Sequence, residues 1–165
     1  MKILYIHGLD SKLSEDKRGI LEKFGTVVTP DIDYYTNPDA IESILSQMEG
    51  KAIDLVLGSS MGGFAGYYVS TALNLPALLF NPALSRRTVK QNIPPIKIKS
   101  PVKKHFLLGA LDDVVNPGET LNFIAHNYNN FTNFHLHIMP DLTHNIPEDV
   151  FETEVMLFIE KFKKL

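Results

Sequence analysis

Cysteine is absent from the 165-residue chain. That excludes disulfides, thiolate nucleophiles and cysteine-based metal sites. Long apolar runs are absent too. No stretch approaches the ~18 residues that a membrane span requires. The first apolar run, Ile3 to Ile6, is too short for the core of a signal peptide. The expected location is therefore cytoplasmic. No polybasic stretch is present, and Lys161, Lys163 and Lys164 read as the solvated end of a helix. Lys and Arg number 16 against 19 Asp and Glu, a net charge of −3. The chain thus lacks the basic footprint of a nucleic-acid binder, and neither nucleic acid nor membrane is an expected partner. Repeats, low-complexity tracts and composition breaks are missing as well, so residues 1–165 read as one domain.

What is present is an alternation. Lys2 to His7, Thr26 to Thr29, Ile53 to Leu57, Ala77 to Phe80, His105 to Leu108 and Phe134 to Met139 read as strands. Between them lie segments with helical periodicity. Ser14-Glu15-Asp16 opens a helix through Phe24. Pro38 occupies a first-turn position of the next helix, where Ile41, Ile44, Leu45 and Met48 share one face and Gly50 marks the end. Phe64 to Leu73, Leu121 to Tyr128 and Glu148 to Lys164 complete the set. In the last of these, Val150, Phe151, Val155, Phe158, Ile159 and Phe162 face inward. Apolar strands without strict alternation are covered on both faces. The expected fold is α/β, a three-layer sandwich around a mostly parallel six-stranded sheet. Ser85 to Lys104, with Pro94, Pro95 and Pro101, breaks the pattern and reads as an irregular flap.

One stretch carries chemistry. "LVLGSSMGG", Leu55 to Gly63, puts Ser60 between Gly58 and Gly62 at a strand-to-helix turn. Ligands bind open parallel sheets beyond the carboxyl ends of the strands. A Gly-x-Ser-x-Gly turn at that edge presents a serine nucleophile, its flanking glycines leaving room for the tight bend. No Gly-Lys-Ser/Thr or Gly-x-Gly-x-x-Gly sequence competes for a phosphate-loop reading. A serine hydroxyl needs a base, and the base an orienting acid. Of six histidines, only His144 and His7 lie in loops at the carboxyl edge. His144, between the sixth strand and the last helix, is the expected base, and His7 braces its own loop. His105 begins a strand, His126 lies mid-helix, and His135 and His137 share one strand face in a structural role. The acid belongs to "FLLGALDDVVNP", where Asp112 is favoured and Asp113 is the alternative. The backbone N–H groups of Leu9, beside the permissive Gly8, and of Met61 are the expected oxyanion donors. Met61 and Phe64 are candidates for an acyl pocket. Arg86, Arg87, Lys90, Lys97 and Lys99 make the flap basic, either as a solvated surface or to attract an anionic substrate such as an acyl-CoA. No metal constellation and no cofactor motif is read from the chain.

"LYIHGLDS", "GSSMGGFAGYY", "LPALLFNPAL" and "THN" resemble the YqiA-like (UPF0227-type) small α/β-hydrolases, an esterase-like family, over nearly the whole chain. The resemblance implies a minimal α/β-hydrolase fold with strand order 2-1-3-4-5-6. It also implies Ser60 as nucleophile, His144 as base and Asp112 as acid. The function expected is hydrolysis of a small carboxylic ester or thioester. An acyltransferase or peptidase with the same three residues, or a non-catalytic binding module of the same fold, are the alternatives.

Overall fold

In the first strand, β1 (Lys2–Ile6), every second side chain enters a different core. Ile3 and Tyr5 join one buried cluster, and Leu4 and Ile6 join the other. A strand apolar on both faces needs helices on both sides, and the computed structural model shows that arrangement. It describes residues 1–129 and 132–163. The side chain of Phe162, and Lys164, lie outside the described residues. β1 pairs with β2 (Thr26–Val28) and β3 (Leu55–Ser59), and the sheet continues through β4 (Ala77–Phe80), β5 (Val102–Gly109) and β6 (Thr132–Met139). The order is β2-β1-β3-β4-β5-β6, and all these pairings are parallel. α1 (Glu15–Glu22) and α5 (Glu148–Lys163) cover one face. α2 (Ala40–Met48), α3 (Met61–Leu73) and α4 (Pro117–His126) cover the other. Among the described residues no helix is long and apolar enough to cross a membrane.

Several boundaries differ from the sequence reading, each for a local reason. β5 starts at Val102, so His105 is its fourth residue rather than its first. Lys103 and Lys104 disguised that start. Lys104 is nevertheless buried, its ammonium 4.9 Å from the centre of the Tyr67 ring, and burial pushes its pKa down to about 8. α4 starts at Pro117 and ends at His126, because the Asn116 side chain accepts the Glu119 N–H and caps it. Pro38 lies in the turn before α2. The Ala40 N–H of that helix is satisfied from far away, by Gln91 Oε1 at 3.2 Å. Gln91 also donates to the Tyr34 carbonyl, and the Asn92 N–H to that of Pro38. The middle of the 85–104 segment, at Gln91 and Asn92, is therefore fastened to the start of α2, and Arg86 to Thr88 reach the carboxyl edge of the sheet.

His135 and His137 do share one face of β6, the side of α5. His137 Nδ1 meets Glu154 Oε1 at 2.7 Å, and His135 stacks on His105 with ring centres 4.1 Å apart. Both are exposed, since β6 is an edge strand. His105 is 5% exposed, and its pKa is pushed down to about 3, first by burial and then by His135, Lys161 and Lys103. The unfolded chain therefore binds this proton near the ordinary value of 6.5, while the folded chain refuses it until far lower pH. Stability is lost as pH falls below that ordinary value. At pH 5.5 the loss from His105 is on the order of 1 kcal/mol. Urea midpoints at pH 7.5 and 5.5 measure it, and His105→Phe is expected to flatten the difference while keeping the ring stack.

Candidate active site

The loops that follow β1, β3, β4, β5 and β6 meet at one edge of the sheet. Ser60 sits directly after β3 with φ 54° and ψ −118°, a conformation that L-residues rarely hold. Its N–H donates to the Phe80 carbonyl at 2.9 Å, and its carbonyl accepts from Phe64 and Ala83. The glycines around it are sterically required. A Cβ on Gly58 would lie 2.2 Å from the Gly62 carbonyl oxygen. A Cβ on Gly62 would lie 2.0 Å from the Ile6 oxygen and 2.4 Å from that of His7. Gly62 thus lets α3 lie against the end of β1, a contact that the local motif does not reveal. Gly58→Ala and Gly62→Ala are each expected to cost about 3 kcal/mol or more, as backbone must move. Gly19→Ala, where nothing lies within 4 Å of the added atom, should instead stabilise by about 0.5–1 kcal/mol. Urea unfolding of the three variants checks both signs.

The base and acid candidates meet. Nδ1 of His144 donates to Oδ2 of Asp112 at 2.8 Å. Oδ1 of Asp112 accepts the N–H groups of Val114 (2.9 Å) and Val115 (2.8 Å), so the carboxylate is fixed at both oxygens. Asp112 is 6% exposed. Asp113 is exposed and lines a separate depression with Arg86 and Glu119. A carboxylate only accepts, so the His144 proton facing it is on Nδ1, and in the neutral ring Nε2 then carries the lone pair. Ser60 and His144 border the same cavity of about 520 Å³. Among the described residues no hydrogen bond joins them.

Leu9 and Met61 also line this cavity. Among the described residues neither backbone N–H finds an acceptor. Gly8 brings the β1 loop in close, since a Cβ there would stand 3.5 Å from that of Ser60. His7 lies outside the cavity wall. Its Nδ1 donates to the Gly8 carbonyl at 2.7 Å, and its own carbonyl accepts from the Tyr34 hydroxyl at 3.0 Å. Those bonds hold the loop.

The cavity has walls that the sequence reading did not identify. Tyr5, Val114, Val115 and Ile146 contribute apolar surface along with Met61. Burial pushes the Tyr5 hydroxyl up to about 12. Phe64 is fully buried in the core and does not line the cavity. The Arg87 guanidinium stacks on its ring at 3.9 Å and donates to the Leu84 carbonyl. Of the basic flap residues only Arg86 and Arg87 reach the cavity, joined by Lys12 and Lys17 from the other side. Asp10 is the one acidic residue among the described lining residues. Distance in sequence hid this grouping, which only the folded sheet and its loops bring together.

The sheet order and covering helices are those of the α/β-hydrolase fold, and solved structures match it across nearly the whole chain. Alpha/beta hydrolase domain-containing protein 10 from mouse superimposes with a TM-score of 0.73 at 13% identity, over 99% of this chain and 89% of that one. Est1E from Butyrivibrio proteoclasticus, with ferulic acid bound, gives 0.73 at 15%, over 98% and 89%. A single-residue variant of SOBER1 from Arabidopsis thaliana gives 0.68 at 12%, over 96% and 100%. At these identities the likeness is one of fold. The family is narrower: residues 2–93 match the model of the uncharacterised protein family UPF0227, and the chain belongs to that family.

Proposed function

We propose that the protein is a serine hydrolase cleaving small carboxylic esters or thioesters through Ser60, His144 and Asp112. The observation that carries this reading is the His144–Asp112 hydrogen bond on the wall of the cavity that the strained Ser60 also borders. Ser60 Oγ attacks the carbonyl carbon while His144 Nε2 takes its proton. Asp112 holds the tautomer that leaves Nε2 free, and stabilises the imidazolium without taking the proton. The N–H groups of Leu9 and Met61 receive the oxyanion. Collapse expels the alcohol or thiol, protonated by His144. Water then attacks the acyl-enzyme with His144 as base, and the acid departs. Hydrolase names among the structural relatives agree with the reading.

The cavity volume is that of a small-molecule site. Of the four cations on its wall, Lys12 is paired with Asp31 and Arg86 with Glu119, which leaves Lys17 and Arg87 against Asp10 as the excess that favours a substrate carrying negative charge. A series of 4-nitrophenyl and thiophenyl esters from two to twelve acyl carbons tests the proposal, with a matched half-ester bearing a terminal carboxylate. Short chains are expected to give the highest kcat/KM, and the half-ester is expected to exceed its neutral isostere by about tenfold at low salt. No turnover of any member by folded protein would contradict the hydrolase reading.

A further inference from the structure

Asn81 follows β4 and has no part in the chemistry just described. It is 1% exposed and has φ 41°. Among the described residues only Ser60, Asn74 and Asn81 are non-glycine residues with positive φ. Asn74 is the ordinary left-handed cap of α3. Asn81 is different, because its side chain is fully engaged across three chain segments. Oδ1 accepts the Gly109 N–H at the end of β5, at 2.7 Å. Nδ2 donates to the carbonyls of Thr143 (2.9 Å) and His144 (3.0 Å). Its backbone N–H donates to the Leu107 carbonyl at 2.9 Å.

The four residues Phe80 to Ala83 grip the serine turn from the same place. The Phe80 carbonyl takes the Ser60 N–H, and the Ala83 N–H donates to the Ser60 carbonyl at 3.0 Å. Pro82 packs on Gly63, where a Cβ would come within 2.7 Å of the proline Cβ. One short segment thus holds the turn of Ser60 by its backbone and the loop of His144 by one side chain. We infer that Asn81 is a positioning residue that registers the His144 loop, and with it the His144–Asp112 pair, against the Ser60 turn.

The chemistry of the site demands an amide. Two carbonyls require donors, and one N–H requires an acceptor, in one buried place. Aspartate would set an anion against two carbonyl oxygens. An apolar side chain would leave the buried Gly109 N–H and two partly buried carbonyls unpaired. Glycine would suit the backbone and make none of the bonds. Gly109 closes the cluster, since a Cβ there would lie 2.4 Å from the Leu142 oxygen and 2.7 Å from that of Thr143.

The inference rests on the hydrolase reading above, and the test separates the two. Wild type, Asn81→Gly and Asn81→Asp are compared on 4-nitrophenyl acetate, each first shown to be folded by urea titration. Glycine relieves the backbone and deletes all three side-chain bonds. Aspartate keeps the acceptor for Gly109 and deletes the two donations. In both, kcat is expected to fall about 10–100-fold, the scale of small misplacements of reacting groups. KM is expected to change by less than about threefold, since ground-state binding is untouched. The low-field Nδ1 proton resonance of His144, assigned by its absence in His144→Ala, should broaden or vanish. Wild-type kcat with an intact resonance in folded Asn81→Gly overturns the inference and leaves the hydrolase reading standing. Failure of both variants to fold also overturns it, since Asn81 would then serve the fold rather than the site. A folded wild type that turns over no ester overturns the reading beneath it, and the inference with it.

Discussion

Ser60→Ala should lower kcat on a short ester by about 10⁴-fold or more, while leaving the protein at least as stable as wild type. The loss of activity follows from the mechanism, since alanine has no oxygen to form an acyl-enzyme. A small residual rate over water should persist, because the Leu9 and Met61 N–H groups and the apolar wall remain. The stability is kept because the Ser60 side chain makes no capping hydrogen bond for alanine to lose, while φ 54° costs of order 1–3 kcal/mol in any L-residue. Alanine carries the same strain as serine. Ser60→Gly releases it, and should gain about 1 kcal/mol with no activity. A residue whose removal stabilises the fold is held there for something other than folding. Steady-state kinetics and urea midpoints on the two variants measure both halves. Undiminished turnover in Ser60→Ala would remove Ser60 from the chemistry.

The second large effect separates neighbouring carboxylates. Asp112→Asn should lower kcat by about 10⁴-fold, and Asp113→Asn by less than about twofold. The geometry gives the reason. Oδ1 of Asp112 is bound by the N–H groups of Val114 and Val115. An asparagine must keep its oxygen toward those two donors, which turns its NH₂ toward His144. His144 Nδ1 then becomes an acceptor, and the ring proton moves to Nε2. That tautomer cannot take a proton from Ser60. Circular dichroism and the urea midpoint should change little, because the side chain keeps its size and most of its bonds. Comparable losses in both variants would contradict the assignment of Asp112.

The alternation of strands and helices was legible because both faces of the sheet are covered, so each strand reads as an unbroken apolar run. It failed where a buried residue is charged, as at Lys104, and where a helix starts on polar and proline residues, as at Asn116-Pro117. The order of Ser60, Asp112 and His144 along the chain was legible because each follows a recognisable strand at the same edge. Sequence left Asp112 and Asp113 open, since two adjacent acids in a loop differ only in which one the fold turns inward. The cationic wall was half legible. Arg86 and Arg87 stood out in the flap, but Lys12 and Lys17 belong to it only through the β1 loop and α1. Gln91 capping α2 and Asn81 joining three loops were not legible, because each acts across dozens of residues. The "FNPA" run was visible as a family feature with no role attached.

The most direct test of the central claim is the intact mass of the protein after exposure to a fluorophosphonate probe, for wild type and Ser60→Ala. The account predicts one adduct on wild type, mapped to Ser60, and none on the variant. An unlabelled, folded wild type, or an adduct that survives in Ser60→Ala, would contradict it.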